Sequence, residues 1–156
     1  MSEQSEQLLQ VFKLIWIIGY CALYGYGGIE HKELRRIYGS LWLCAGICLF
    51  SALSHTFSWW FLLIAPLYYG ASTYGYGVRD DNLLEKILKR MVQGLLFTIA
   101  ALPVFIVMEN WGMFGIHAGL CLLFCTLLGV FGFTKSARKE ETAIALAVSV
   151  VPLLTV

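Results

Sequence analysis

Residues 112–133 read GMFGIHAGLCLLFCTLLGVFGF, a run with no aspartate, glutamate, lysine or arginine. A helix needs roughly 20 apolar residues to cross the hydrocarbon core of a bilayer, so this run is long enough to span it. The whole chain has a similar character, since 59% of its 156 residues are hydrophobic and only 13% are charged. An ordinary globular chain has about 45–50% apolar and about 25% charged residues. The composition therefore predicts a membrane protein and argues against a disordered chain, a soluble enzyme or a small disulfide-bonded secreted protein.

Six apolar stretches are separated by charged or turn-forming residues, and each is a candidate membrane span. The sequence therefore predicts an all-α, polytopic integral membrane helical bundle of six transmembrane helices, forming a single domain over residues 1–156. The last stretch is short and contains Pro152, so five spans followed by a re-entrant segment remain the alternative. Pro66 and Pro103 also fall inside spans, where we expect kinks relieved by packing. The stretches are residues 7–26, 37–54, 57–77, 92–108, 112–133 and 142–156.

The basic residues fall on alternate connections between these stretches. Ten of the eleven lysines and arginines lie in three connections, and the connections at 54–58 and 109–112 contain none. The positive-inside rule places such basic connections in the cytoplasm, which predicts that both termini lie outside. The expected location is a bacterial inner membrane or its equivalent. Because the net charge is only +1, no nucleic-acid partner is expected.

Ionisable residues are almost excluded from the predicted spans. All ten acidic residues lie outside the apolar cores, and ion-coupled transporters usually keep an ionisable group facing the bundle interior. Ion-coupled transport is therefore disfavoured. Lys13 is the one basic residue inside a span, and its ammonium group is expected to snorkel toward the outer interface.

An aromatic-Gly-aromatic step ends every odd-numbered span, and a basic segment follows each step. This recurrence predicts an internal repeat of three antiparallel helical hairpins. Aromatic rings and basic side chains favour the boundary between lipid and water, so the sequence predicts a set of membrane-interface residues. Asn82 is expected to cap a helix whose apolar face lies on the inner leaflet. The interface set comprises Tyr24, Tyr26, Tyr74, Tyr76, Trp59, Trp60, Trp111, Arg35, Arg36, Lys86, Lys89 and Arg90.

Cysteine and histidine recur at helical spacing in two of the predicted spans. Residues four apart share a helix face, and two converging faces of this kind can offer thiolate and imidazole ligands to copper(I) or zinc. The alternative interpretation is that these small cysteines pack between membrane helices, as alanine and serine do. No other cofactor is expected. The candidate metal ligands are Cys44 and Cys48 with His55, and Cys121 and Cys125 with His117.

No nucleophile elbow, phosphate-binding loop, HExxH motif or pair of carboxylates at membrane depth is present. We therefore expect a non-enzymatic membrane protein whose surroundings are the lipid bilayer. The primary hypothesis is an oligomeric or partner-bound membrane component, of which a channel-like or holin-like protein is one form, that associates through a small-residue face. The alternative is a small transporter or metal-handling protein that uses the histidine and cysteine faces. The small-residue face consists of Gly39, Ser40, Ala45 and Gly46.

Overall fold

A computed structural model describes residues 2–25, 32–74, 82–131 and 137–156. These residues form helices and contain no β-strand, so the predicted all-α class is confirmed. Tyr26 and Tyr76 lie outside the described residues, and so do parts of all three aromatic-Gly-aromatic steps. The helices are α1 (Glu3–Gly25), α2 (Lys32–Leu53), a 3-10 helix (Trp59–Leu63), α3 (Ile64–Tyr74), α4 (Leu83–Ala100), α5 (Leu102–Met108), α6 (Trp111–Phe131) and α7 (Ala137–Thr155).

Each predicted apolar stretch coincides with a helix or a pair of consecutive helices. Four of the described helical segments are long and apolar enough to cross a membrane, namely Glu3–Tyr24, Glu33–Leu53, Leu83–Met108 and Trp111–Phe131. The third predicted stretch is not among them because its first residues form the 3-10 helix Trp59–Leu63, which leaves only 11 residues for α3. The fourth predicted stretch is interrupted at Ala101, and the new helix α5 begins at Leu102 with Pro103 as its second residue. A proline lacks the amide proton that a continuous helix would need, which accounts for the break.

The surface is far more apolar than that of a water-soluble protein, and the largely apolar interior also contains several charged and polar side chains. Large apolar side chains such as Ile18, Leu84 and Leu123 are more than half exposed. Three arginines, a lysine, a glutamine and a histidine are buried. A surface of this kind is stable in contact with hydrocarbon and would aggregate in water. The distribution is therefore consistent with a membrane protein.

Helix α4 illustrates this polarity. Its first turn is capped by Asn82, whose side-chain oxygen accepts a hydrogen bond from the Glu85 amide at 2.9 Å, and this confirms the predicted cap. Leu84, Leu88 and other large apolar side chains on one face are exposed. The opposite face carries Arg90 and is buried against the rest of the bundle. The basic end of α4 therefore turns partly inward.

Helices α1 and α2 are joined by a reciprocal pair of tryptophans. The Trp16 and Trp42 rings stack with centroids 4.1 Å apart. Each indole Nε1 donates to the other residue's carbonyl oxygen, at 2.7 Å from Trp16 and 2.9 Å from Trp42. Each ring also covers a glycine on the facing helix, Trp42 on Gly19 and Trp16 on Gly46. Tyr24 covers Gly39 in the same way. Residue numbers therefore rise along α1 as those of their partners fall along α2, so the two helices are antiparallel.

Helices α4 and α6 make the most extensive helix contact in the described part of the chain. At Gly94 the two backbones approach so closely that an added Cβ would lie 2.8 Å from the Cys121 carbonyl oxygen. A Cβ added at Gly129 would lie 3.1 Å from the Ile87 Cα, so the two helices are also close at this end and are antiparallel. Glycine permits this separation because it has no side chain between the helices.

The remaining contacts close the helices into a ring. Neighbours follow in the order α1, α2, α3, α4, α6 and α7, and α7 returns to α1 while also touching α2 and α5. Among residues 142–156 of α7, only Leu146 is exposed. Because α7 is surrounded by protein, its short apolar segment, Thr142–Thr155, does not have to match the thickness of a bilayer by itself.

Candidate functional site: a polar interior at one end of the bundle

The end of the bundle where α1 stops and α2 starts contains buried cations. Arg35 and Arg36 on α2 and Arg90 on α4 retain only 4–5% of their exposed surface. We expected these arginines at the boundary between membrane and water, and the structure instead directs them between the helices. Consecutive arginines on a helix point about 100° apart, so burying both requires protein on two sides of α2. Helices α1, α3 and α7 all contact α2.

The arginines take part in a hydrogen-bonded network. The Arg35 guanidinium donates to the Tyr24 carbonyl oxygen at 3.1 Å, at the end of α1. The Arg90 guanidinium donates to the Gln93 side-chain oxygen at 2.6 Å, and the Gln93 amide donates to the Ala71 carbonyl oxygen at 3.4 Å. Arg35, Arg36 and Arg90 each have further interaction partners. The network therefore links α1 with α2 and α3 with α4 around a buried polar interior that contains three arginines.

Three buried tyrosines lie on α1 and α3, and the carbonyl oxygen of one of them, Tyr24, accepts the Arg35 hydrogen bond. Tyr20 and Tyr24 follow one another on α1 with ring centroids 4.9 Å apart, and the Tyr24 hydroxyl is hydrogen-bonded to Ser72 on α3. The Ser72 hydroxyl donates to the Tyr68 carbonyl oxygen at 2.8 Å. The Tyr68 hydroxyl donates to the Val148 carbonyl oxygen at 2.9 Å and so ties α3 to α7. These four residues, Tyr20, Tyr24, Tyr68 and Ser72, form a hydroxyl cluster that joins α1, α3 and α7.

Lys13 adds a fourth buried cation farther along α1. Its side chain is 3% exposed and lies on the same face as Ile17, Tyr20 and Tyr24. We expected this ammonium group to snorkel outward, but the side chain lies on the protein-facing side of the helix. Residues four apart share a helix face, so the same stripe of α1 carries a lysine and two tyrosines into the bundle.

The predicted metal ligands do not assemble. Among the described residues, no three histidine, cysteine or acidic side chains lie close enough together to hold a metal ion. Cys44 donates from its sulfur to the Phe61 carbonyl oxygen at 3.3 Å and thus faces the 3-10 helix. Cys121 instead lies beside His117, whose ring packs against Phe105 on α5.

The remaining candidate metal ligands, like Cys44 and Cys121, are separated in the structure. Cys48 belongs to α2 and Cys125 to α6, and α2 and α6 are not direct neighbours in the ring. His55 lies in the turn after α2 with a positive φ of 58°. The two cysteine faces therefore point at different neighbours, because the ring order separates their helices.

The other predicted interface residues are at the surface. Trp59, Trp60 and Trp111 are 58–76% exposed, and Tyr74 is 42% exposed. Lys86 and Lys89 are half-buried on α4. Tyr24 differs, since it is buried in the hydroxyl cluster. The predicted small-residue face is also used inside the chain, because Gly39 lies under the Tyr24 ring and Gly46 under the Trp16 ring, whereas Ala45 is exposed.

An apolar groove lies on the opposite end of the bundle, between the 3-10 helix with α3 and the broken pair α4 and α5. Its volume is about 420 Å³, and only apolar side chains line it, including Trp60, Leu67 and Pro103. The groove offers no acid, base or nucleophile. It has the chemistry of a lipid-facing recess rather than of a catalytic centre.

The sequence did not single out Tyr20, Tyr68, Ser72 or Gln93. Tyrosine and serine within an apolar run are common in membrane helices, so their types carry little signal. Gln93 carried a clearer signal in the sequence, since a glutamine three residues after Arg90 on the same helix is within hydrogen-bonding reach of it.

Compared with known protein families, with curated proteins and with solved structures, the chain matches none.

Proposed function

We propose that this chain is a non-enzymatic integral membrane protein of the channel or transporter type, and that an anion passes through its polar interior. The observation that carries the proposal is the burial of Lys13, Arg35, Arg36 and Arg90 inside a bundle with an apolar exterior. Charged side chains within a membrane are costly, and they are retained chiefly where they line the path of a solute or ion.

The sign of the proposed solute is inferred from the charged side chains that the structure describes. Glu3, Glu6, Glu33, Glu85 and Glu109 are all exposed, so among the acidic side chains whose burial is described none enters the interior. Buried cations attract anions and repel cations, and the low dielectric of the interior strengthens both effects. The buried Lys13 side chain supports a path for anions for this reason.

In this proposal the six helical stretches cross the bilayer as three antiparallel hairpins. The basic connections lie in the cytoplasm and both termini lie outside, as the segregation of lysine and arginine favours. The arginine network would then lie in the inner half of the membrane. Single-cysteine labelling tests the topology: Glu33→Cys and Lys86→Cys are expected to be protected from a membrane-impermeant reagent added to intact cells, and Trp111→Cys to react. Labelling in the reverse sense would refute it.

Flux measurements test the proposed activity. Purified protein in liposomes loaded with chloride is expected to release chloride when valinomycin carries potassium out, and protein-free liposomes are not. Arg90→Gln should slow this release about tenfold or more, since it removes a buried charge from the path. Lys86→Gln is the matched control, because it removes the same charge one turn earlier on α4 from a half-buried position. Wild-type release no faster than that of empty liposomes would overturn the proposal.

A second proposal concerns assembly into a homo-oligomer. Gly115 and Gly119 lie four residues apart on the exposed face of α6, and an added Cβ at either would meet nothing within 4 Å. Small residues at this spacing let membrane helices approach closely. The oligomer expected from the sequence is therefore supported at α6 rather than at Gly39 and Gly46, which the chain covers itself.

The mass of the complex in mild detergent tests this assembly. Light scattering is expected to give a multiple of the 17.5 kDa chain for the wild type. Gly115→Leu with Gly119→Leu should yield the monomer. Gly70→Leu fills another open glycine, on α3, and should leave the mass unchanged. A monomeric wild type would exclude the assembly without bearing on the chloride experiment.

A further inference from the structure

The apolar groove between the 3-10 helix with α3 and the broken pair α4 and α5 is open along one side. Its lining side chains recur at helical spacing on both walls, with Trp60, Leu63 and Leu67 on one and Ile99, Pro103 and Ile106 on the other. All of these except Pro103 keep more than a third of their surface exposed. The groove therefore opens onto the surroundings of the protein rather than into its interior.

The size of the groove suits the acyl region of a phospholipid. An apolar cavity of about 150 Å³ binds benzene, which corresponds to about 25 Å³ for each carbon atom. The groove of about 420 Å³ therefore holds about 17 carbons, as many as one common membrane acyl chain or the upper halves of two contain. In a bilayer the tails of every lipid are as apolar as these walls, so hydrocarbon alone gives no preference. A preference for one lipid must come from polar groups beside the groove.

A single charged residue lies just beyond the α5 end of the groove. Glu109 is exposed and comes two residues after Val107, which lines the groove. Segments 54–68 and 95–116 form both walls and contain no other aspartate, glutamate, lysine or arginine. The indole ring of Trp60, in the facing wall, is 66% exposed. A carboxylate and the face of an indole both attract a cation, and no basic side chain of these segments offsets that attraction.

We propose that the groove binds the acyl region of one phospholipid and that the Glu109 carboxylate binds the ammonium group of its headgroup. Phosphatidylethanolamine has this chemistry, because its primary ammonium donates charge-assisted hydrogen bonds to a carboxylate. Phosphatidylglycerol carries the same acyl chains but no cation, and Glu109 repels its phosphate. The proposal rests on the membrane location and not on the anion path.

Native mass spectrometry tests the headgroup preference. The protein in mild detergent is washed free of lipid and then given equal amounts of phosphatidylethanolamine and phosphatidylglycerol with identical acyl chains. The wild type is expected to bind one phosphatidylethanolamine per chain, about threefold or more in excess over phosphatidylglycerol, as an exposed ion pair provides. Glu109→Gln should bind both lipids equally. Glu6→Gln is the matched control, because it removes the same charge from an exposed position on α1.

Filling the groove tests where the acyl chains lie. Leu63→Trp places a large ring among the lining side chains and should remove the bound lipid of either kind. Leu62→Trp is the matched control, because Leu62 is the preceding residue of the same 3-10 helix, is 51% exposed and does not line the groove. This variant should bind lipid as the wild type does.

The outcomes separate this site from the proposed activity. A wild type that binds no lipid, or that binds both lipids equally, would overturn the proposal, and neither result depends on the folding of a variant. Equal lipid binding by Leu63→Trp and Leu62→Trp would also overturn it. A smaller protein complex for Leu63→Trp with its lipid retained would assign the groove to a second copy of the chain instead. Preference for phosphatidylethanolamine in a protein that releases no chloride would establish the site and refute only the anion path, and chloride release without any lipid preference would do the reverse.

Discussion

Replacing Gly94 by alanine tests the close packing of α4 on α6. The new Cβ would lie 2.8 Å from the Cys121 carbonyl oxygen and 3.2 Å from the Leu122 Cα, whereas ordinary contacts begin at 3.4 Å. Both obstacles are backbone atoms, so no side-chain rotation can relieve the overlap and the helices must separate by about 0.6 Å. Overpacking of this kind typically costs about 1–3 kcal/mol. Alanine also favours a helix over glycine by about 1 kcal/mol, so we expect the free energy of unfolding to lie about 0–2 kcal/mol below that of the wild type, and about 1–3 kcal/mol below that of a glycine-to-alanine variant without the overlap.

The matched control is Gly70→Ala on α3, where an added Cβ meets nothing within 4 Å. Alanine is favoured over glycine in a helix by about 1 kcal/mol, so this variant should be as stable as the wild type or more so. Equilibrium unfolding in mixed micelles of SDS and a mild detergent, followed by circular dichroism, measures both variants. If Gly94→Ala unfolds at the same SDS fraction as Gly70→Ala, the backbone contact between α4 and α6 is not as close as described.

Three further changes probe other contacts. Trp16→Phe removes the donor to the Trp42 carbonyl oxygen and should lower the free energy of unfolding by about 1 kcal/mol. Trp60→Phe, at the exposed surface, should leave it unchanged. Equal effects of the two substitutions would count against the paired tryptophans. Asn82→Ala removes the cap of α4 and should cost about 1 kcal/mol, with faster hydrogen exchange at Glu85; unchanged exchange would exclude the cap. Cys121→Ser should have the same copper and zinc content as the wild type when both are measured by elemental mass spectrometry, because no three metal-binding side chains meet among the described residues. A lower metal content in the variant would contradict that arrangement.

The helices themselves were predictable from the sequence because lipid-facing segments need long apolar runs, and the runs begin and end near the observed helices. The Asn82 cap was predictable because it depends only on local spacing. The break at Ala101 was expected as a kink near Pro103. The ring order was not predictable, since it depends on which faces meet. Gly94 and Gly129 show this, because nothing local distinguishes them from the open Gly115 and Gly119.

The candidate site was predictable only in part. The sequence drew attention to Arg35, Arg36 and Arg90 but assigned them to the membrane surface, since a basic residue next to an apolar run usually reaches the headgroups. The burial of Arg35 and Arg36 follows from the contacts of α2 with α1, α3 and α7, and that of Arg90 from the contacts of α4 with α3 and α6, which no local pattern reveals. The cysteine pairs show the opposite case. Their spacing is regular, but Cys44 and Cys121 face different neighbours, so regular spacing alone did not indicate a shared site.

The reciprocal tryptophan pair also bears on how the protein is made. Before α1 and α2 meet, the Trp16 and Trp42 N–H groups would face hydrocarbon without an acceptor, and Gly19 and Gly46 would leave notches filled only by lipid. A polar group left unpaired in the bilayer raises the free energy of the isolated helix. In the proposed membrane topology, the two segments thus gain most by entering the bilayer together, already docked. Helices α1 and α2 together contain every donor, acceptor and glycine that this docked pair requires.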